Sequence, residues 1–270
     1  MGMAIIIGLT LGLIGGGGSI LTVPVLVYIV GVPAVQATAY SLFIVGIAAL
    51  AGAVGYLRRG DVDVRTAISF AVPSIVAVYI TRRFLVPAIP NPLLQLGDFT
   101  MTKDAAILVL FALTMLIAAL SMIRGCVRCV TRSEGESVRE TGRLTSGAIV
   151  VEGAVVGTLT GLVGAGGGFL IIPALVLVGG LPMKRAVGTS LVIIALKSLI
   201  GFVGDLGAAT SMDWRFLTIF AGITVAGILL GLLGSRLVSE RRLRPAFGWL
   251  VLVMGAAIVF RELSGIVIPG

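Results

Sequence analysis

The chain contains no histidine. That absence removes Ser-His and Cys-His nucleophilic pairs, imidazole metal ligands and imidazole proton relays together. Cysteine is nearly as scarce. Cys126 and Cys129 are the only two, a lone CxxC in a basic stretch. Such a pair supplies too few ligands for a structural zinc site and reads as two unpaired thiols. Charge is sparse: 12% of the 270 residues are charged, against about 25% in a soluble domain. Strand-length segments of alternating apolar and polar residues are lacking, which argues against a β-barrel. No basic segment precedes the first apolar stretch, so the N-terminus does not read as a secretory signal. Ile6 stands where a myristoylation site needs Ser or Thr.

What is there is mostly hydrocarbon. The chain is 58% hydrophobic, with a mean hydropathy of +1.15. Uncharged apolar runs occupy Val32–Leu57, Thr66–Thr81, Ala105–Ile123, Gly153–Met183, Ala186–Leu196, Phe216–Ser235 and Pro245–Phe260. Most approach the roughly 20 residues that a membrane-spanning helix needs. The net charge of +8 does not indicate a nucleic acid partner. The Lys and Arg residues cluster in short loops between apolar runs, where basic residues fix membrane orientation. The expected partners are membrane lipid and a small substrate. A homo-oligomer is compatible with the sequence.

The second feature is duplication. Gly15-Gly16-Gly17-Gly18-Ser19, four residues and then Pro24 return as Gly164-Ala165-Gly166-Gly167-Gly168, four residues and then Pro173. The match runs without a gap from Gly12/Gly161 to Gly52/Gly201. Glycine-broken apolar segments in corresponding positions of two halves point to a substrate site in a secondary transporter. The halves are read as an N-terminal repeat over 1–124 and a C-terminal repeat over 144–270, joined by a basic linker over 125–143.

The broken segment sets the topology. Met3–Val30, taken as one helix, would be about 42 Å long at 1.5 Å per residue, against a hydrocarbon core of about 30 Å. Either it crosses once and the halves are parallel, or its two arms form a re-entrant hairpin and the halves are inverted. The hairpin arrangement gathers 14 Lys and Arg residues on one side (Arg58, Arg59, Arg65, the linker arginines, Lys184, Arg185 and the group from Arg236 to Arg244) and leaves 5 on the other: Arg82, Arg83, Lys103, Arg215 and Arg261. The single-crossing arrangement divides them almost evenly. The positive-inside rule favours the asymmetric count. The expectation is an all-α polytopic membrane protein of two inverted repeats. Each repeat is a glycine-broken, re-entrant helix pair plus three transmembrane helices. The linker is expected to be cytoplasmic.

Non-helical backbone at membrane depth survives only inside protein or a watery cavity. The glycine turns should therefore be buried where the repeats meet. Each would open the second arm of a hairpin, and a helix start offers free N–H groups and partial positive charge. The backbone at Gly17, Gly18 and Ser19, and again at Gly166, Gly167 and Gly168, is thus a candidate anion cradle. GxxxG spacings at Gly8/Gly12, Gly153/Gly157 and Gly227/Gly231 read instead as close helix crossings. A nucleotide P-loop is excluded, because no Lys-Ser/Thr follows either cluster. No cofactor and no metal site is readable. Lys197, near the middle of an apolar run, is a functional residue by default, either meeting an anionic substrate or pairing with Glu152 or Asp205. Glu152 is a candidate for proton coupling. Hydroxyls recur at Ser41 and at Thr189 and Ser190, beside Tyr40, and complete the candidate substrate-binding set.

The doubled pattern resembles that of the sulfite exporter TauE/SafE family of membrane permeases: G-x-G-G-G, four residues, Pro, then a Pro-x-x-x-A-x-G-T-S helix start. The second copy fits throughout, with Gly164, Gly166, Gly167, Gly168, Pro173, Pro182, Ala186, Gly188, Thr189 and Ser190. In the first copy Ser19, Ala39 and Tyr40 replace Gly, Gly and Thr. The resemblance implies a non-enzymatic permease moving a small sulfur-containing anion, such as sulfite or an organosulfonate, across a prokaryotic inner membrane by alternating access. A channel for small anions, and a permease for another small carboxylate or inorganic anion, are the alternatives.

Overall fold

Helices begin and end where glycine, proline or charge interrupts the apolar runs. The computed structural model describes residues 2–16, 18–90, 94–96, 99–130, 146–177, 180–206, 212–234, 248–249 and 251–261. Helix α1 (Gly2–Ile14) stops at Gly15, whose φ of 85° is the left-handed conformation that glycine tolerates. Gly18 already lies back against Ile7 and Thr10 of α1. The chain has therefore doubled over, and α2 (Ser19–Val30) forms the second arm of a hairpin. Pro24 cannot donate within α2, and the turn after it widens into a π-helix over Val25–Val30. Helix α3 (Ala34–Arg58) follows Pro33. Asp63 caps α4 (Val64–Ala88), its Oδ1 accepting from the Thr66 N–H at 2.8 Å. A second π segment, Thr81–Leu85, lies within α4.

A two-stranded hairpin, β1 (Leu94–Leu96) and β2 (Phe99–Met101), is the departure from an all-helical chain among the described residues. Helix α5 (Lys103–Val130) passes the expected end of the first repeat at 124 and carries Cys126 and Cys129. Residues 131–145, most of the expected linker, lie outside the described residues. The second repeat restates the first: α6 (Ser146–Val163), a glycine turn, α7 (Gly168–Leu177), α8 (Met183–Asp205), α9 (Trp214–Gly234) and α10 (Val251–Arg261).

Glycine contacts give the helix directions. Gly8 and Gly12 of α1 back onto Gly227 and Gly231 of α9 in the same order, so these helices run parallel. Gly153, Gly157 and Gly161 of α6 meet Phe70, Ser74 and Val78 of α4, again in parallel. The three GxxxG-type pairs are close crossings, as expected. Each hairpin thus packs on a helix of the other repeat. Gly46 and Gly52 of α3 meet Leu199 and Leu191 of α8, so α3 and α8 run antiparallel.

Among the described residues, four helices are each long and apolar enough to cross a membrane: Ala34–Arg58, Val64–Ala88, Arg185–Asp205 and Trp214–Gly234. Large apolar side chains such as Ile117, Val151, Leu233 and Phe260 face outward. Thr38, Ser41, Arg82, Thr160, Lys197 and Ser198 are buried. Apolar groups outside and polar groups within is the distribution of a multi-pass membrane protein.

Candidate functional site

The two glycine turns meet at the centre of the fold, Gly16 backing directly onto Gly168. They differ in what surrounds them. In the first, the Ser19 hydroxyl donates to the Gly16 carbonyl at 2.7 Å and the Ser19 N–H reaches the same oxygen at 3.4 Å. Gly15 rests on Val187 and Gly18 on α1. Gly17 lies outside the described residues. This turn is closed by its own bonds and by apolar packing.

The second turn is surrounded by charge. Gly164, Gly166 and Gly167 hold φ of 70°, 66° and 68°, a run that residues with a Cβ would strain. Among the described residues, no backbone carbonyl accepts from the N–H groups of Gly166, Gly167 or Gly168. A Cβ on Gly167 would come 2.7 Å from Lys197 Nζ, and one on Gly164 would strike Arg82 Nη2. Absence of side chains lets two buried cations approach one turn, three residues apart.

Lys197 is 1% exposed. Its Nζ donates to Thr160 Oγ1 at 2.9 Å. Thr160 in turn donates to the Gly157 carbonyl at 3.2 Å. Neither of the carboxylates expected as partners reaches Lys197. Glu152 lies eight residues before Thr160 on α6, about 12 Å along the axis, and is half-buried. Asp205 pairs with Arg82 instead, at 3.5 Å.

Arg82 corrects the sequence reading, which placed it among the loop charges at the membrane surface. It is 1% exposed, inside the π segment of α4. A π turn carries an extra residue and re-aims the side chains around it. Arg82 Nη1 donates to Thr38 Oγ1 at 3.0 Å, and Thr38 donates to the Val35 carbonyl at 2.7 Å. Nε and Nη2 are buried with no hydrogen-bond partner among the described residues. Those two atoms form the guanidinium edge whose parallel N–H groups match an oxyanion. The clue available in the sequence is that apolar residues resume at Phe84-Leu85-Val86, so the Arg82-Arg83 pair interrupts a span that continues to Ala88.

Two hydroxyls complete the cluster. Ser198 Oγ lies 3.4 Å from the place a Gly166 Cβ would occupy and has no hydrogen-bond partner among the described residues. Ser41 Oγ is buried and likewise without a hydrogen-bond partner among the described residues. Ser41 sits three residues after Thr38 and four before Val45, on the face of α3 that meets Gly164 and Gly166. Unsatisfied buried donors are costly, and ordered water or a ligand relieves them. The cluster holds Lys197, Arg82 and Asp205, an excess of one positive charge.

Other expected site residues lie elsewhere. Ser190 donates to the Val187 carbonyl at 2.8 Å. Thr189, about 12 Å up α8 from Lys197, accepts from the Asp63 N–H at 2.9 Å. Its counterpart in the first repeat, Tyr40, accepts from the Asp213 N–H at 2.8 Å, and Asp213 caps α9 as Asp63 caps α4. The sequence duplication thus has a structural echo, one latch near each end of the antiparallel α3/α8 pair. A groove of about 690 Å³ runs along the outer face of α4 and α6, lined by residues such as Val76, Ile80 and Phe84. Among the described residues, no charged one lines it, so it does not suit an anion.

Two buried cations and unpartnered hydroxyls thus lie around one glycine turn, inside a shell of apolar helices. Residues 1–258 match the family described as Sulfite exporter TauE/SafE. The chain belongs to the TauE/SafE family. Its relatives include a probable membrane transporter protein of Xylella fastidiosa strain 9a5c, 30% identical over 97% of this chain and 94% of that protein. The probable membrane transporter protein YunE of Bacillus subtilis is 26% identical over 88% of this chain and 96% of its own length. A probable membrane transporter protein of Methanocaldococcus jannaschii is 26% identical over 94% of this chain and 93% of its own. No solved structure matches. As a TauE/SafE protein the chain is a membrane transporter.

Proposed function

We propose that this TauE/SafE protein is a secondary carrier for a small sulfur-containing anion, such as sulfite or an organosulfonate. It works by alternating access in a prokaryotic inner membrane, with inverted repeats and the 125–143 linker cytoplasmic. The observation that carries the reading is the second glycine turn, where Lys197 Nζ and the unpartnered Nε/Nη2 edge of Arg82 converge. The free amides of Gly166–Gly168 and the Ser41 and Ser198 hydroxyls add donors. An anion bound there gains charge-assisted hydrogen bonds in a dry, low-dielectric site. The absence of any nucleotide-binding loop leaves ion or substrate gradients as the energy source.

The antiparallel α3/α8 pair supports inversion. Two sequence-equivalent helices related by a two-fold axis run antiparallel only when the axis is perpendicular to them, which for spanning helices is the membrane plane. The Thr189–Asp63 and Tyr40–Asp213 bonds then close the two ends of the central pair. Opening one while the other holds exposes the cluster to one side at a time.

The test is counterflow of labelled sulfite in proteoliposomes. The expected result is saturable, voltage-independent exchange that is lost in Lys197→Ala. Linear, non-saturating flux would replace the carrier by a channel. Flux of carboxylates but not of sulfite or sulfonates would overturn the substrate class. Single cysteines replacing Arg59 and Arg215 should be labelled from opposite sides, and labelling from the same side would overturn inversion.

A further inference from the structure

Among the described residues Asp205 is the one carboxylate in a cluster built of donors, and its placement is unlike that of a structural partner. A buried ion pair that holds a fold together is hydrogen-bonded and saturated. Here Asp205 Oδ2 stands 3.5 Å from Arg82 Nη1, and that oxygen has no hydrogen-bond partner among the described residues. Arg82 gives its hydrogen bond at Nη1 to Thr38 instead. Its bidentate edge is left open toward Gly164. Lys197 stands eight residues before Asp205 on the same helix, about 12 Å away, and draws no charge from it.

We infer that Asp205 is a built-in competitor for the transported anion: its carboxylate neutralises Arg82 while the site is empty, weakens anion binding there, and speeds release. The inference rests on the carrier reading and assigns Asp205 a positioning role within it. The reason is electrostatic. The empty site must return across the membrane with two buried cations, and an unpaired buried cation is expensive. A carboxylate 3.5 Å from Arg82 reduces that cost. The same negative charge opposes an arriving anion. Two ligands that compete for one group lower each other's affinity reciprocally, commonly by about 5- to 150-fold.

The experiment compares wild type with Asp205→Asn and Asp205→Glu. Thermal stabilisation of the purified protein by sulfite, sulfate, methanesulfonate and acetate gives apparent affinities. Labelled-sulfite counterflow gives KM and kcat. Asp205→Asn is expected to bind the preferred anion about tenfold more tightly, with KM falling and kcat falling with it. Asp205→Glu reaches further toward Arg82 and is expected to bind more weakly than wild type, so the proposal stays testable if Asp205→Asn does not fold. A purely structural carboxylate predicts lower stability, with the anion affinity of the surviving protein unchanged. Unchanged or weaker binding in Asp205→Asn, or unchanged binding in Asp205→Glu, overturns the inference while leaving the carrier reading in place. No stabilisation of any of the proteins by any of the four anions overturns both.

Discussion

Replacing Lys197 with methionine should move stability and transport in opposite directions. The side chain is 1% exposed, and its only hydrogen bond among the described residues runs to Thr160 Oγ1 at 2.9 Å. Among the described residues, no carboxylate pairs with it. Exchanging buried charges for apolar groups of similar volume commonly stabilises by about 1–4 kcal/mol. Losing the bond to Thr160 offsets about 1 kcal/mol of that. Thr160 is not stranded, because it still donates to the Gly157 carbonyl at 3.2 Å. The net expectation is stabilisation by about 0–3 kcal/mol. At about 2–4 °C per kcal/mol, the Tm should hold or rise, by up to about 12 °C. Sulfite flux should vanish, since methionine offers no donor at Gly167. The assays are thermal unfolding of the purified protein without anion, and counterflow in proteoliposomes. A Tm several degrees lower, with flux retained, would refute the reasoning: Lys197 would then be a structural strut.

Gly167→Ala places a Cβ at φ of 68°, 2.7 Å from Lys197 Nζ. It should cost about 1–3 kcal/mol and abolish stabilisation by sulfite, whereas Gly147→Ala, with open space around it, should change neither. Thr189→Val and Tyr40→Phe each remove one acceptor worth about 1 kcal/mol. Accessibility of a cysteine replacing Ser41 should rise from opposite sides of the membrane in the two variants, and a rise from the same side in both would count against the paired latches.

Much of the architecture was legible in the chain. The duplicated glycines told where the backbone breaks, because glycine is the costliest ordinary residue inside a helix and the cheapest at a left-handed turn. The three GxxxG spacings marked helix crossings, and the structure places backbone against backbone at each. Lys197 stood out because a charge in an apolar run has nowhere to go but inward. Arg82 did not stand out. Next to Arg83 it looked like a loop pair, and only the π turn over Thr81–Leu85 carries the helix onward and turns one arginine in, the other out. The two halves also looked more alike than they are. The residue equivalent to Lys197 in the first repeat is Ala48, and Ser19 closes its own turn by bonding Gly16.

The sequence by itself determined that this chain lives in lipid, is built twice, and breaks its backbone at two matched places. These follow from composition and spacing, which act locally along the chain. Only the tertiary structure decided which break gathers the charges. Arg82 from α4, the group Lys197, Ser198 and Asp205 from α8, Thr160 from α6 and Ser41 from α3 come from four helices that are well separated in sequence. They meet because each hairpin packs on a helix of the opposite repeat and because glycine at 164, 166 and 167 leaves room for cations where side chains would otherwise stand.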